Sequence, residues 1–185
     1  MKCFHGTTQE NFVNLLSGGE KPSGAWNCSD SDGCFYVYPV SKFYDVEDMD
    51  AEQITDEGIR NALDSASITA AFQMKSQKIV ILELDIPEDE LQDDWSCENM
   101  SDVASFTEHF DKSWIKKIYT TDFNAMYAPF FVPNLNNRNL GYVPDELHNI
   151  AVMIQRSDEM NNVFCDLCDN LQSNITESTV SDVLA

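Results

Sequence analysis

An α+β fold is predicted by three features of this 185-residue chain. β-rich apolar runs and segments of helical period both occur, without the regular strand–helix alternation of a parallel α/β sheet. The apolar fraction of 43%, with 11 Phe, is enough for a core without disulfides or a structural metal. No internal repeat or low-complexity stretch breaks the pattern, and the length suits one compact domain.

In chain order, residues 2–4 predict a short first strand, because the turn formers Gly6, Thr7 and Thr8 follow at once. Thr8 is a fitting N-cap for a helix with Phe12, Val13, Leu15 and Leu16 on its apolar side, ended by Gly18-Gly19 ahead of Pro22. Gly33 then opens the β-rich run Cys34-Phe35-Tyr36-Val37-Tyr38, stopped by Pro39. Ile59, Ala62, Leu63, Ala66, Ala70 and Met74 fall at helical spacing, and Ile68, Ala71 and Phe72 widen that face into a mostly buried helix. Residues 79–86 are the clearest strand, closed by Pro87. Residues 103–110 read as a short helix, and 115–120, 128–132 and 150–154 as further strands. The amide-rich loop 134–139 carries Arg138. Met160, Val163, Phe164, Leu167 and Leu171 mark a last amphipathic helix before a weak tail. The expected organisation is a single domain over 1–156, followed by a C-terminal amphipathic helix and tail over 157–185.

Charge excludes more than it identifies. Asp and Glu number 32 against 11 Lys and Arg, a net charge of −21 and a pI near 4.1. General binding to a phosphate backbone needs clustered base, so direct nucleic-acid binding is not expected. Residues 45–57 hold seven carboxylates and residues 83–98 hold eight, neither run containing Lys or Arg. They read as surface insertions, either solvated loops or a docking face for a basic protein. No run approaches the roughly 18 apolar residues of a membrane span, and the N-terminus lacks a leader-like apolar stretch, so a cytoplasmic protein with reduced cysteines is expected. Of the six cysteines only Cys165 and Cys168 have ligand-like spacing, and Cys28 with Cys34 would supply the second pair of a zinc site. Ordinary thiols are the expectation and no metal is assigned; a zinc-stabilised interaction module is the competing reading.

The three histidines, His5, His109 and His148, share no helical turn and belong to no recognisable nucleophile elbow. No phosphate-cradling Gly-rich loop is present either. His5 stands apart through its setting. It closes a first strand, precedes Gly6, where backbone can approach a ligand closely, and is followed by the hydroxyls of Thr7 and Thr8.

The ordered series His5-Gly6-Thr7, short helix, Gly33-Cys34-Phe35-Tyr36, Ala-rich helix over 62–71 and apolar strand over 79–86 resembles the ADP-ribosyltransferase superfamily. The resemblance is to its His-Tyr-Glu branch, shared by diphtheria-type toxins and poly-ADP-ribose polymerases, and it covers about the first 86 residues. It implies a split β-sheet core with flanking helices, and NAD as the substrate. His5 would donate to a ribose hydroxyl, the Gly6 backbone would hold the nicotinamide carboxamide beside Thr7, and Tyr36 would stack on the nicotinamide. His5 and Tyr36 would then face a common cleft. The family's late Glu corresponds to Glu146, with Asp145 beside it and Asn149 standing where the acid is most expected. Its carboxylate would hold the ribose 2′-hydroxyl and stabilise the oxocarbenium character that develops when the nicotinamide–ribose bond breaks. The pyrophosphate needs local base, and Lys42, Arg60 and Arg138 are the donors available.

The function implied is mono-ADP-ribosylation of a basic protein target, such as a nucleic-acid-binding complex, by a toxin-sized domain. By analogy this is a bacterial or phage effector that disables a defence complex. The alternative is a non-catalytic acidic inhibitor that imitates the charge of a nucleic acid and blocks a basic groove.

Overall fold

The computed structural model describes residues 1–18, 34–94, 104–131 and 158–185. Its strands are β1 (Lys2–Thr8), β2 (Phe35–Pro39), β3 (Gln77–Asp85), β4 (Gln92–Asp93), β5 (Ser105–Thr107), β6 (Ile115–Phe123) and β7 (Thr176–Ser178). They form one antiparallel sheet in the order β4-β5-β2-β1-β3-β6-β7. Its helices are α1 (Gln9–Leu16), α2 (Ala51–Gln73), α3 (Ala128–Phe131), α4 (Asp158–Ser173) and α5 (Val180–Leu184). The class is mixed α+β, as the sequence predicts. Among the described residues no helix is long and apolar enough to cross a membrane.

Two cores lie on the two faces of the sheet. Residues of a strand alternate between faces, so β3 sends Ile79 and Ile81 to one core and Val80, Leu82 and Leu84 to the other. The first core holds Phe4, Tyr119 and Phe123 against Ala62, Leu63, Ala66 and Ala70 of α2, with Leu171 of α4. The second holds Cys3, Phe35, Val37, Trp114 and Ile118, with Phe12 of α1 and Val183 of α5. Burial pushes the Cys3 thiol up to about 12, so it is an inert core group.

Small residues let α2 close onto β1. A Cβ at Gly6 would land on the carbonyl oxygen of Ala62, and one at Gly58 would land in the ring of Phe4. The helix begins at Ala51, well before the apolar periodicity. Asp50 caps it, accepting from the amides of Glu52 and Gln53 while the Gln53 side chain returns to the Asp50 amide. The acidic run 45–57 is therefore partly helical: Glu52, Asp56 and Glu57 lie in the first turns of α2, and Glu47 and Asp48 in a 3-10 turn ahead of it. The second run likewise starts inside β3, at Glu83 and Asp85, and its Asp94 is 3% exposed.

Several local expectations are corrected. Gly6, Thr7 and Thr8 do not turn. They continue β1 opposite Ile81, Val80 and Ile79, where an unbroken ladder outweighs the local turn preference. The expected helix at 103–110 is a strand over Ser105–Thr107, paired with β2 on one side and β4 on the other. The expected strand at 128–132 begins as helix, because Asn124 caps the turn Ala125–Tyr127 and Ala128 continues it with φ −48° and ψ −43°. The weak tail supplies β7, which pairs with β6, and α5, which buries Val183. The expected features at 19–33, 134–139 and 150–154 lie outside the described residues.

Candidate functional site

Thr8 ends β1 and at once caps α1, its hydroxyl accepting from the Asn11 amide at 3.4 Å. That fixes the exit of β1 and hence the position of His5 three residues earlier. On its other side β1 meets β2 in register only at Cys3↔Pro39 and Phe4↔Tyr38. Beyond Phe4 this ladder stops, while β2 pairs through Phe35, Tyr36 and Val37 with β5 on its far edge. The imidazole of His5 meets the carbonyl of Tyr36, with Nδ1 at 2.6 Å from the oxygen.

The ring of His5 is half-buried. Its centroid lies 4.3 Å from that of Phe35, and Phe35 in turn lies 4.9 Å from Phe110. Burial among these rings pushes the imidazole pKa down from 6.5 to about 4, against the smaller opposing pull of the Tyr36 carbonyl. His5 is consequently neutral at pH 7. A carbonyl only accepts, so Nδ1 carries the proton and Nε2 holds the lone pair.

His5 and Tyr36 do not share a cleft as expected. Phe4 and Tyr38 are directly paired and pack in the α2-side core, so by alternation Tyr36 belongs to that face and His5 to the opposite one. Tyr36 lies beside Phe106, with centroids 6.0 Å apart. The part of the resemblance that rested on a shared cleft therefore loses Tyr36. The aromatic that meets the His5 ring is Phe35, which sequence reading left as an ordinary strand residue. Its face follows only from the Phe4↔Tyr38 register, which the sequence does not supply.

The remaining assignments divide three ways. Gly6 is accounted for by α2, whose Ala62 carbonyl occupies the space of a side chain, and Thr7 is buried beside it in β1. Lys42 donates to Asp93 at 2.7 Å and to the Ala104 carbonyl at 2.8 Å, and Arg60 pairs with Glu57 on an exposed turn of α2. Arg138, Asp145, Glu146 and Asn149 lie outside the described residues, as does Cys28. Cys168 packs beside the α2-side core and Cys34 is half-buried. Among the described residues no three His, Cys, Asp or Glu side chains are grouped to hold a metal ion.

No protein-family model matches the chain, and neither a curated protein nor a solved structure does.

Proposed function

We propose that the chain is an NAD-dependent mono-ADP-ribosyltransferase acting on a basic protein, with NAD taken where β1 and β2 part. The observation that supports this reading is the loss of the β1–β2 ladder at His5, whose neutral ring is held there by the Tyr36 carbonyl. A strand pair that separates at a fixed polar ring offers backbone groups and a hydrogen-bonding nitrogen to one ligand. In this reading His5 orients the ribose, Phe35 braces the His5 ring, and Tyr36, on the other face of β2, is not assigned to stack on the nicotinamide. Glu146 remains the proposed acid, acting on the charge that develops at the ribose as the bond to nicotinamide breaks. A net charge of −21 suits capture of a basic target by electrostatic steering.

The test is incorporation of labelled NAD into protein by the full chain, repeated with Glu146→Gln and His5→Gln. Loss of transfer in Glu146→Gln, with NAD affinity kept within a few-fold, is the expected result. Undiminished transfer in both variants would defeat the assignment of these residues, and no transfer by the parent chain would defeat the enzyme.

A second reading is favoured by one observation. Lys42 and Arg60, two of the three cations available for the NAD pyrophosphate, are each engaged by a carboxylate of the chain itself. A non-catalytic acidic inhibitor needs no such cations. It would bind its basic target with unchanged affinity when NAD is withheld and when His5 is replaced.

A further inference from the structure

At the end of β3 away from Glu83 and Asp85, Ser76, Lys78, Asp122 and Asn124 line a groove of about 450 Å³. Lys78 and Asp122 stand opposite each other in the β3–β6 register, the usual setting for a cross-strand ion pair. That pair is not made. The Lys78 ammonium donates instead to the Asp182 carbonyl of α5 at 2.9 Å. The exposed Asp122 carboxylate has no ion-pair or hydrogen-bond partner among the described residues. Beside the groove are two exposed methionines, Met74 at 49% and Met126 at 78%. The Ala125 amide donates to Ser76 Oγ at 2.9 Å, which ties their two chain segments together. Met74 ends α2 with φ +48°, a left-handed conformation that glycine adopts freely and methionine only under strain. Folding therefore favours glycine at this cap, and Met74 stays half exposed. We infer that this end of the sheet is a docking surface for a basic protein segment, with an Arg or Lys side chain pairing with Asp122 and an apolar neighbour lying on Met74 and Met126.

Charge selects this occupant. Lys75 is already paired with Glu10 at 3.1 Å, and the Lys78 ammonium is drawn off to a carbonyl, which leaves Asp122 as the group to be paired. A second copy of this chain, itself at −21, would be repelled. Methionine side chains are flexible and polarizable, and they mould to apolar groups of differing shape. The surface thus reads charge beside an apolar group, not charge alone. The inference rests on the proposed basic target for the partner's charge and on none of the NAD chemistry.

The probe is a fluorescein-labelled synthetic peptide of Arg and Leu, compared with one of equal charge in which Ser replaces Leu. Both are titrated into the full chain at about 0.1 M salt, where distant charges are screened. The expected result is tighter binding of the Arg–Leu peptide, with the ε-methyl NMR signals of Met74 and Met126 moving as it binds. Asp122→Asn should weaken that peptide about three- to fivefold, the loss of one exposed ion pair. Met74→Gly has two readouts that oppose each other. It should raise the melting temperature by about 2–4 °C by relieving the cap, yet weaken the Arg–Leu peptide roughly threefold. Met126→Gln, at an exposed site, should keep the parent melting temperature and weaken the peptide by a similar factor. A Met74→Gly chain that gains stability and binds as tightly as the parent overturns the inference. So does equal affinity for the two peptides, or methyl signals that stay still while the amides of 45–57 move. Sedimentation without peptide tests the other occupant, and a dimer that Met126→Gln dissociates overturns the basic partner. Labelled-NAD transfer is scored separately. Transfer by the parent chain with docking absent overturns this surface and leaves the enzyme standing, whereas docking without transfer supports the surface and removes the enzyme.

Discussion

Along its β3 edge, β1 stays in register from Lys2↔Asp85 to Thr8↔Ile79, whereas along its β2 edge the ladder ends after Cys3↔Pro39 and Phe4↔Tyr38. The β3 edge is sealed by apolar residues on both faces and by α2 lying on Gly6. At the β2 edge a side chain, His5, bridges to the Tyr36 carbonyl beyond the end of the register. One strand thus has one side in long register and one side joined through a side chain. The same sequence stretch, His5-Gly6-Thr7, serves both.

The largest effect expected is at the sealed edge. Gly6→Val places side-chain atoms on the Ala62 carbonyl of α2, and β1 cannot retreat because seven residue pairs hold it to β3. Overpacking against backbone has no flexible side chain to absorb it. The variant should show no cooperative thermal transition. A Gly6→Val chain that melts like the parent would show that Gly6 is free of α2 and available to a ligand, as the sequence alone suggests.

Next comes the β2 edge. Phe35 is buried and Tyr36 half-buried, on opposite faces of β2. Phe35→Ala should cost about 3–5 kcal/mol in denaturant unfolding. Tyr36→Ala should cost roughly 1 kcal/mol, an ordinary partial loss of packing. Only Phe35→Ala should also raise the His5 pKa, because it admits water to the ring. Equal costs, or a His5 shift in Tyr36→Ala, would return Tyr36 to the site.

This pair shows what the sequence could and could not reveal. The strand 34–38 was legible from β-branched and aromatic residues bounded by Gly33 and Pro39, and α1 from the Thr8 cap. Residue faces were not legible, because alternation must be counted from a known partner, and the partner of β2 switches from β1 to β5 within five residues. The strand at Ser105–Thr107 was missed for a related reason. Three residues hold too little pattern, and pairing on both sides decides their state. Gly6 was recognised as special, but a glycine needed by a helix and one needed by a ligand look identical in sequence. Asp50 was read as one acid among many, although its spacing to Gln53 was a readable cap.

The third effect is pH-dependent. His5 binds its proton with a pKa near 4 when folded, against 6.5 when unfolded, so the unfolded chain holds more protons between these values. Stability from this group is complete above about pH 6.5, falls as pH drops through the window, and levels off below about pH 4. The difference amounts to roughly 3 kcal/mol. It should appear as a gap between the pH–stability curves of the parent and His5→Asn, since the acidic surface contributes equally to both. Parallel curves would mean that the ring is solvated and titrates normally.

The smallest effect lies in the acidic surface, and it separates carboxylates that hold structure from those that only carry charge. Asp45, Glu47 and Asp48 lie ahead of α2, and neutralising them to Asn or Gln should change stability by no more than about 0.5 kcal/mol. Asp50→Ala should cost about 1 kcal/mol because it removes the cap, while Asp50→Asn should cost little, since Asn caps nearly as well. Asp93 and Asp94 are different again. Asp93 holds Lys42, and Asp94 is buried, so replacing them disturbs the junction of β4 and β5. A fair test of electrostatic capture therefore uses Asp45→Asn, Glu47→Gln and Asp48→Asn together, leaving Asp50, Asp93 and Asp94 in place. With a basic protein partner, the parent should associate quickly at low salt and slow steeply as ionic strength approaches 0.1 M, where the screening length is about 10 Å. The triple variant should associate more slowly at low salt and depend less on salt, with its melting temperature unchanged. If its association rate and salt dependence match the parent's, these carboxylates are solvated surface and the partner is recognised elsewhere.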